Sequence, residues 1–236
     1  GDNTVDLYRE YRSLAAGGSY SAKVIYIPGL VDPCAHGIEK HPLAIKDFIQ
    51  YAVHTFSTTP KYVFLLGKGI EYDQYTVNQT SQYADKLNLV PTFGSPASDV
   101  LLSSPYGSIV PSVPIGRLSA ISGDEVGNYL QKIKEYEQAG ASTTQTTANK
   151  LWMKKVVNIV GGADSSDNAL FGYYMNLCKD IVQDTLFGAN VETFTKASSA
   201  PVQLYSGQRI TQLFNSGIGI LAYFGHSSAT TLAFNL

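Results

Sequence analysis

The residues with the clearest chemical potential lie near the end of the chain, where an apolar run leads into a histidine. Residues 217–228 read GIGILAYFGHSS, so His226 and two hydroxyl residues follow a glycine at the end of a predicted strand. Ligands bind at the carboxyl ends of strands in open parallel sheets, and histidine transfers protons well near neutral pH. His226 is therefore a candidate catalytic residue. On this pattern alone, a structural histidine at a strand end is the alternative.

A second candidate site is the glycine-rich segment 161–167, which reads GGADSSD between a predicted strand and a predicted helix. Backbone N–H groups in such a turn can hold an anion. The segment lacks the GxGxxG spacing and the Lys-Ser/Thr pair of a P-loop. A turn in which Asp or Ser caps the next helix is the better interpretation. A nucleotide- or phosphate-binding domain using Gly161 and Gly162 is kept as a further hypothesis.

Cysteines and histidines in the first half of the chain give weaker signals. Cys34, His36 and His41 have a spacing that matches no established zinc pattern, so we assign no metal and no cofactor. Cys34 follows the first predicted strand, far in sequence from His226. Cys178 lies on a predicted helix beside apolar residues, where we expect it to be buried and inert. Neither cysteine is our candidate nucleophile.

The elements that would position His226 alternate between strands and helices. Apolar runs bounded by turn residues predict strands over residues 22–29, 61–67, 111–117, 155–160, 190–195 and 218–224. Apolar residues at three- and four-residue steps predict helices that begin at Pro42 and after Ser122, and that cover residues 170–186 and 208–215. Between them, residues 73–107 are predicted to be loop-rich, with short extended pieces at 87–90 and 100–102. Such alternation is typical of parallel sheets with right-handed crossovers.

Composition narrows the class of protein. Residues 139–149 (AGASTTQTTAN) have no apolar period and predict a linker, which gives two α/β units, residues 1–140 and 141–236. The net charge of −2 gives no electrostatic footprint for nucleic acid. No apolar run is long enough to span a membrane. Charged residues make up only 15% of the chain, and this neutral, hydroxyl-rich composition favours an exported protein.

Three groups of residues together resemble the gingipain-type cysteine peptidases. The first is YVFLLGKG at residues 62–69, and the second joins Ala97-Ser98-Asp99 to VPIGRL at 113–118 and KEYE at 134–137. The third runs from residue 210 through the last predicted strand into GHSS at 225–228. This resemblance covers most of residues 60–236. It implies two side-by-side caspase-like subdomains, each doubly wound with a mostly parallel sheet, of which the second is incomplete.

The resemblance also implies roles for individual residues. His226 would activate a cysteine thiol for attack on a peptide carbonyl, and the backbone N–H of Ser227 would stabilise the oxyanion. The family's turn usually reads Gly-His-Gly-Ser, so Ser227 replaces a glycine. Well-known members carry an acid where this chain has Val160, and we expect Asp164, or else Asp167, to orient His226 instead.

The same resemblance sets the expected function. The family's nucleophilic cysteine lies at the end of the next strand, about thirty residues beyond the histidine. We therefore expect the chain to be the greater part of a cysteine endopeptidase domain that is truncated before its nucleophile and inactive. Residues 168–171 (NALF) include no acid to receive an arginine side chain, so cleavage after arginine is not expected.

The expected partners are a protein or peptide substrate and, for the parent protein, type IX secretion components or its other domains. Nucleic acid is not expected as a partner. The expected location is bacterial, either secreted or at the cell surface. The alternative is a peptidase-like domain that has lost activity and serves in binding or assembly, and the loss of the acid at Val160 favours it.

Overall fold

The structure is a computed structural model that describes residues 3–78, 80–141, 146–184, 186–195 and 200–226, with the backbone alone for residues 200–206. The chain divides into two compact units, residues 1–141 (unit 1) and 142–236 (unit 2). Each unit contains a small parallel sheet with helices around it. The predicted α/β class with parallel sheets is thus confirmed.

Unit 1 is built on two parallel strands, which pair from Val63 opposite Ile115 to Leu66 opposite Leu118. Its core contains Ile45, Ile49, Leu65, Val90, Leu102 and Val113. In chain order its elements are α1 (Thr4–Ser13), α2 (Val31–Ala35), α3 (Leu43–Thr55), β1 (Val63–Leu66), α4 (Tyr72–Val77), α5 (Gln82–Leu87), α6 (Val100–Ser103), β2 (Ile115–Leu118) and α7 (Gly123–Ala141).

The two long helices that the sequence predicts in unit 1 both form, and local caps explain where they begin. Pro42 precedes the first turn of α3, and the buried residues Ile45 and Ile49 follow at the predicted spacing. At the start of α7, the Ser122 hydroxyl accepts a hydrogen bond from the Glu125 amide at 3.3 Å. The Glu125 carboxylate in turn accepts from the Ile121 amide at 2.8 Å. This reciprocal cap satisfies two amides that the helix itself cannot pair.

Unit 2 is a three-stranded parallel sheet whose strand order is β4-β3-β5. Its elements are α8 (Thr147–Lys150), β3 (Lys155–Gly161), α9 (Ser165–Gln183), β4 (Asn190–Thr195), α10 (Ala200–Asn215) and β5 (Ile220–Gly225). Alternate residues of β3 pack into two different hydrophobic cores. Val157 and Ile159 pack with residues of α10, whereas Val156 packs with Val182 of α9. The helices therefore lie on opposite faces of the sheet.

Two predictions for unit 1 are wrong. Residues 22–29 form no strand: an irregular segment leads into a 3₁₀ turn at Ile27–Leu30, and Ile25 and Tyr26 are exposed. A strand needs a hydrogen-bonded neighbour, and none of the described residues pairs with this segment. The extended pieces predicted at 87–90 and 100–102 are also absent. The segment instead contains the short helices α4, α5 and α6.

The expectations for α9 and for the linker also need correction. Leu170, Leu177 and Ile181 were expected in a buried stripe, but they are 49%, 46% and 74% exposed, and Met175 is the residue of α9 that is buried. Cys178 is also exposed, because it lies on the outer side of this helix. The predicted linker is helical at both ends, where α7 continues to Ala141 and α8 begins at Thr147.

Within the described part of the chain, no helix combines the length and the apolar character that crossing a bilayer requires.

Candidate active site

His226 directly follows β5, at the edge of the unit 2 sheet where β3 also ends. Its amide donates to the Gly161 carbonyl at 2.8 Å, which fixes its backbone against the end of β3. Glycine precedes it for a steric reason, since a Cβ at residue 225 would overlap the backbone of Gly161. The side chain of His226 is 56% exposed. An accessible imidazole therefore lies at the carboxyl edge of a parallel sheet, which is where such sheets bind ligands.

The imidazole contacts a carboxylate from the first turn of α9. Nε2 of His226 lies 2.9 Å from Oδ2 of Asp167. The same oxygen accepts a hydrogen bond from the Ala163 amide at 3.2 Å, so the carboxylate is held at two points. Among the described residues, Nδ1 of His226 has no hydrogen-bond partner, which leaves this nitrogen available for another group.

Asp164, which we expected as the orienting residue, has a different position. It is the N-cap of α9, and its Oδ1 accepts from the Asp167 amide at 2.9 Å. The carboxylate within hydrogen-bond distance of His226 is thus that of Asp167. Val160, at the position where the resemblance would place an acid, is fully buried in β3. Ser227, which we expected to contribute to the oxyanion hole, lies outside the described residues.

Aromatic rings border the imidazole on the side of α9. The Phe171 ring, one turn after Asp167, lies 5.5 Å from the imidazole ring between centroids. It also packs on Phe224 at 4.7 Å, and Phe224 contacts Tyr174 at 6.2 Å. These contacts limit the orientations that the His226 ring can adopt. The Tyr223 hydroxyl donates to the His226 carbonyl and restrains the backbone as well.

The turn between β3 and α9 does not have the features of an anion site. The Gly162 amide donates to the Asn168 side chain at 2.9 Å, and the Ala163 amide donates to Asp167. The amides of Gly162 and Ala163 are therefore not free to bind a phosphate. Carboxylates at positions 164 and 167 would also repel an anion. The geometry thus favours the capped turn over the phosphate-binding hypothesis.

Neither cysteine has the features of a nucleophile that would react with His226. Cys178 lies eleven residues after Asp167 on the same helix, which corresponds to about 16 Å along the axis. Cys34 lies in α2 of unit 1, where burial and the charge of Asp47 raise the pKa of its thiol. A nucleophilic cysteine needs the opposite shift, because the thiolate is the reactive form.

The candidate metal ligands of unit 1 have structural roles instead. The His41 Nδ1 accepts from the Leu43 amide at 3.1 Å, and its ring packs against Tyr72 at 4.6 Å. Burial lowers the pKa of His41. His36 adopts a left-handed conformation at the end of α2. No three metal-ligating side chains converge anywhere in the described ranges.

The sequence interpretation missed an ion pair that joins the motifs of unit 1. The Arg117 guanidinium donates to both oxygens of the Asp99 carboxylate at 2.7 Å, and its Nη1 donates to the carbonyls of Gly67 and Val90, also at 2.7 Å. The Thr92 hydroxyl donates to the same carboxylate at 3.0 Å. The sequence did contain an indication of this ion pair, because Asp99 and Arg117 each lie in a motif that carries the resemblance.

Comparison with known proteins gives one result. The model of Peptidase family C25 matches residues 2–236, almost the whole chain. Searches of curated proteins and of solved structures found no match.

Proposed function

Because the chain belongs to Peptidase family C25, the gingipain-type cysteine peptidases, we propose that His226 is the catalytic histidine of an endopeptidase domain. The observation that carries this proposal is the exposed imidazole that β5 delivers to the carboxyl edge of a parallel sheet. At the family level the activity is peptide hydrolysis and the substrates are proteins. The roles of individual residues and the location of the protein are part of the proposal.

In the proposed reaction the imidazole accepts the proton of a cysteine thiol, and the thiolate attacks the peptide carbonyl carbon. The carbonyl oxygen becomes an oxyanion, to which the backbone N–H of Ser227 would donate. The protonated imidazole then gives its proton to the leaving amine, and the peptide bond breaks. Water hydrolyses the resulting thioester with His226 as the base, which restores the thiol and releases the acid product.

The nucleophile of this reaction lies outside residues 1–236 in our proposal. The chain has only two cysteines. Burial and the charge of Asp47 raise the pKa of the Cys34 thiol, and Cys178 lies about 16 Å along the axis of α9 from Asp167. The family pattern places the nucleophile about thirty residues after the histidine, at the end of a further strand. We infer that residues 1–236 by themselves do not hydrolyse peptides.

The neighbours of His226 disfavour substrates with arginine before the cleaved bond. Phe171 packs on the imidazole, and the carboxylate of Asp167 is already bonded to His226 and to the Ala163 amide. A basic side chain would therefore find no free carboxylate among these contacts. The proposal also includes export to the surface or exterior of a bacterium, which the low charged fraction of 15% supports. There the protein would process other secreted proteins.

A second candidate function is an inactive peptidase-like domain that binds other proteins. The observation that favours it is Val160, whose apolar side chain is fully buried where well-known members carry an acid. The two functions differ in one respect that can be measured. The peptidase forms a covalent adduct with a thiol-directed substrate analogue through a cysteine near His226, and the binding domain does not.

The test uses a longer protein that extends past residue 236, in wild-type, His226→Ala and His54→Ala forms. His54 is a matched control because it caps the Gln50 carbonyl of its own helix, away from any proposed role. We expect His226→Ala to lower the rate of cleavage of a mixed peptide library by about 10²- to 10⁴-fold, with His54→Ala unchanged. Equal cleavage by all three forms would refute the catalytic role of His226. A wild-type protein that binds peptides without cleavage or labelling would support the binding domain.

A further inference from the structure

We infer that Asp167 is the positioning residue of His226, and that it holds Nε2 so that Nδ1 is the nitrogen that serves the thiol. This inference rests on the proposed function for its consequence in catalysis, but the contact itself can be tested without activity. Asp167 does not occupy the position of the family's acid, which Val160 fills in this chain. The role of an orienting carboxylate has thus moved from the end of β3 to the first turn of α9.

Contacts within the turn and the first turn of α9 fix the position of Asp167 independently of His226. Asp164 caps α9 and accepts from the Asp167 amide at 2.9 Å, which sets the backbone of the first turn. Oδ2 of Asp167 also accepts from the Ala163 amide at 3.2 Å, which sets the side chain. The carboxylate is therefore preorganised when the imidazole reaches it. Preorganisation is what allows a hydrogen bond to orient a catalytic group.

The alternatives to Asp167 are excluded by their own contacts. Asp164 is committed to the helix cap, and Val160 has no polar atom to offer. Among the described residues, Asp167 is the one carboxylate within hydrogen-bond distance of the His226 ring. Phe171 provides a second constraint, because its ring lies beside the imidazole at 5.5 Å and hinders a flip that would exchange the two nitrogens.

The contact also fixes the tautomer of the neutral ring. A carboxylate oxygen accepts a hydrogen bond, so Nε2 must carry the proton and donate it. Nδ1 is then the atom with the free lone pair, and only such an atom can accept the proton of a thiol. The side chain of Asp167 thereby selects which edge of the imidazole faces the reaction.

The test is nuclear magnetic resonance of the 236-residue chain labelled with ¹⁵N-histidine, which has only four histidines. Two of them are internal references. The Nδ1 of His41 accepts from an amide, so its proton is on Nε2, and the Nδ1 of His54 contacts a carbonyl, so its proton is on Nδ1. We expect His226 to show a protonated Nε2 whose proton exchanges slowly with water.

The perturbation is Asp167→Ala, with Asp180→Ala as the matched control because Asp180 is an exposed aspartate of the same helix. In Asp167→Ala the exchange of the Nε2 proton of His226 should accelerate by about 1.5- to 5-fold, the range that corresponds to the loss of an exposed side-chain pair. The control should leave it unchanged. The single tryptophan, Trp152, lies in unit 2, and its unchanged fluorescence would show that the unit remains folded. An unchanged Nε2 signal in a folded Asp167→Ala variant overturns the inference.

A second measurement uses Asp167→Asn in the longer protein, because the amide oxygen can still accept from the Ala163 amide and so preserves the turn. We expect kcat to fall at least about fivefold with KM within about twofold, since the substitution affects the orientation of His226 and not the binding of peptide. A change in KM alone would contradict the positioning role. If the longer protein shows no cleavage at all while the Nε2 signal behaves as expected, the proposed function fails and the contact is upheld.

Discussion

Replacement of Arg117 by alanine should destabilise the sheet of unit 1 by about 3 kcal/mol. The Arg117 side chain is only 10% exposed and donates to Asp99 through two atoms and to the carbonyls of Gly67 and Val90. Removal of one partner of a buried ion pair costs roughly 3–5 kcal/mol, because the remaining charge is left without compensation. Asp99 is 24% exposed and keeps its bond from Thr92, which places the expected cost at the lower end of this range.

The assay should follow the strands themselves, because the chain has two units and a single transition cannot be assumed. Native-state hydrogen exchange of peptides that contain β1 and β2 provides this resolution. A loss of about 3 kcal/mol corresponds to roughly a hundredfold faster exchange of amides that open with the sheet. The matched control is Arg9→Ala, which breaks a surface pair with Asp6 and should cost less than about 1 kcal/mol.

The destabilisation caused by Arg117→Ala should also depend on pH. Burial alone would raise the pKa of Asp99, but the hydrogen bonds and charge of Arg117 and the bond from Thr92 outweigh it and lower the pKa. A carboxyl whose pKa is lowered on folding contributes stability above its unfolded pKa of about 3.9, and this contribution is lost as the pH falls through the folded pKa. The difference between the wild type and Arg117→Ala should therefore narrow below about pH 4. Exchange rates that match those of Arg9→Ala at neutral pH would refute this account of the ion pair.

Three further predictions concern residues outside the candidate site. Burial lowers the pKa of His41, so its neutral form is favoured by folding, and the free energy of unfolding should fall as the pH drops below about 6.5, with a flatter profile in His41→Gln. Burial raises the pKa of the Cys34 thiol, so iodoacetamide should modify it at least about tenfold more slowly than the exposed Cys178, as followed by mass spectrometry. Gly217 has φ of +80° and would place a Cβ 3.0 Å from Trp152, so Gly217→Ala should cost about 1–2 kcal/mol in urea unfolding followed by tryptophan fluorescence.

The sequence was most informative in unit 2, where β3 and β5 are mainly apolar runs that end at glycine. β3 and β4 formed within a residue of the predicted bounds, and β5 begins two residues later than predicted. Unit 1 was harder for a physical reason. Its helices α4, α5 and α6 contain six, six and four residues, too few to show a helical period. Their position depends on distant contacts, such as Leu102 packing in the core of the sheet.

At the candidate site, too, the sequence predicted only part of the arrangement. The position of His226 after β5 followed from the apolar run and the glycine before it. The choice between Asp164 and Asp167 did not follow, because both carboxylates fit the same turn. It depends on the residue at which α9 begins: the N-cap uses its side chain for the helix, and the residue three positions later is free to face outward. A helix that began three residues later would instead have made Asp167 the N-cap.

Different side chains border the turn after the first strand of each sheet, and this difference argues for the location of the chemistry. In unit 1 the turn after β1 is closed by Arg117, which is 10% exposed and has its donors occupied by Asp99 and two carbonyls. In unit 2 the turn after β3 is bordered by His226, which is 56% exposed and has one ring nitrogen without a partner among the described residues. A guanidinium held by four such hydrogen bonds stabilises the fold of its unit. Among the described residues, the sheet edge of unit 2 presents an exposed imidazole, and imidazole is the side chain best suited to proton transfer near neutral pH.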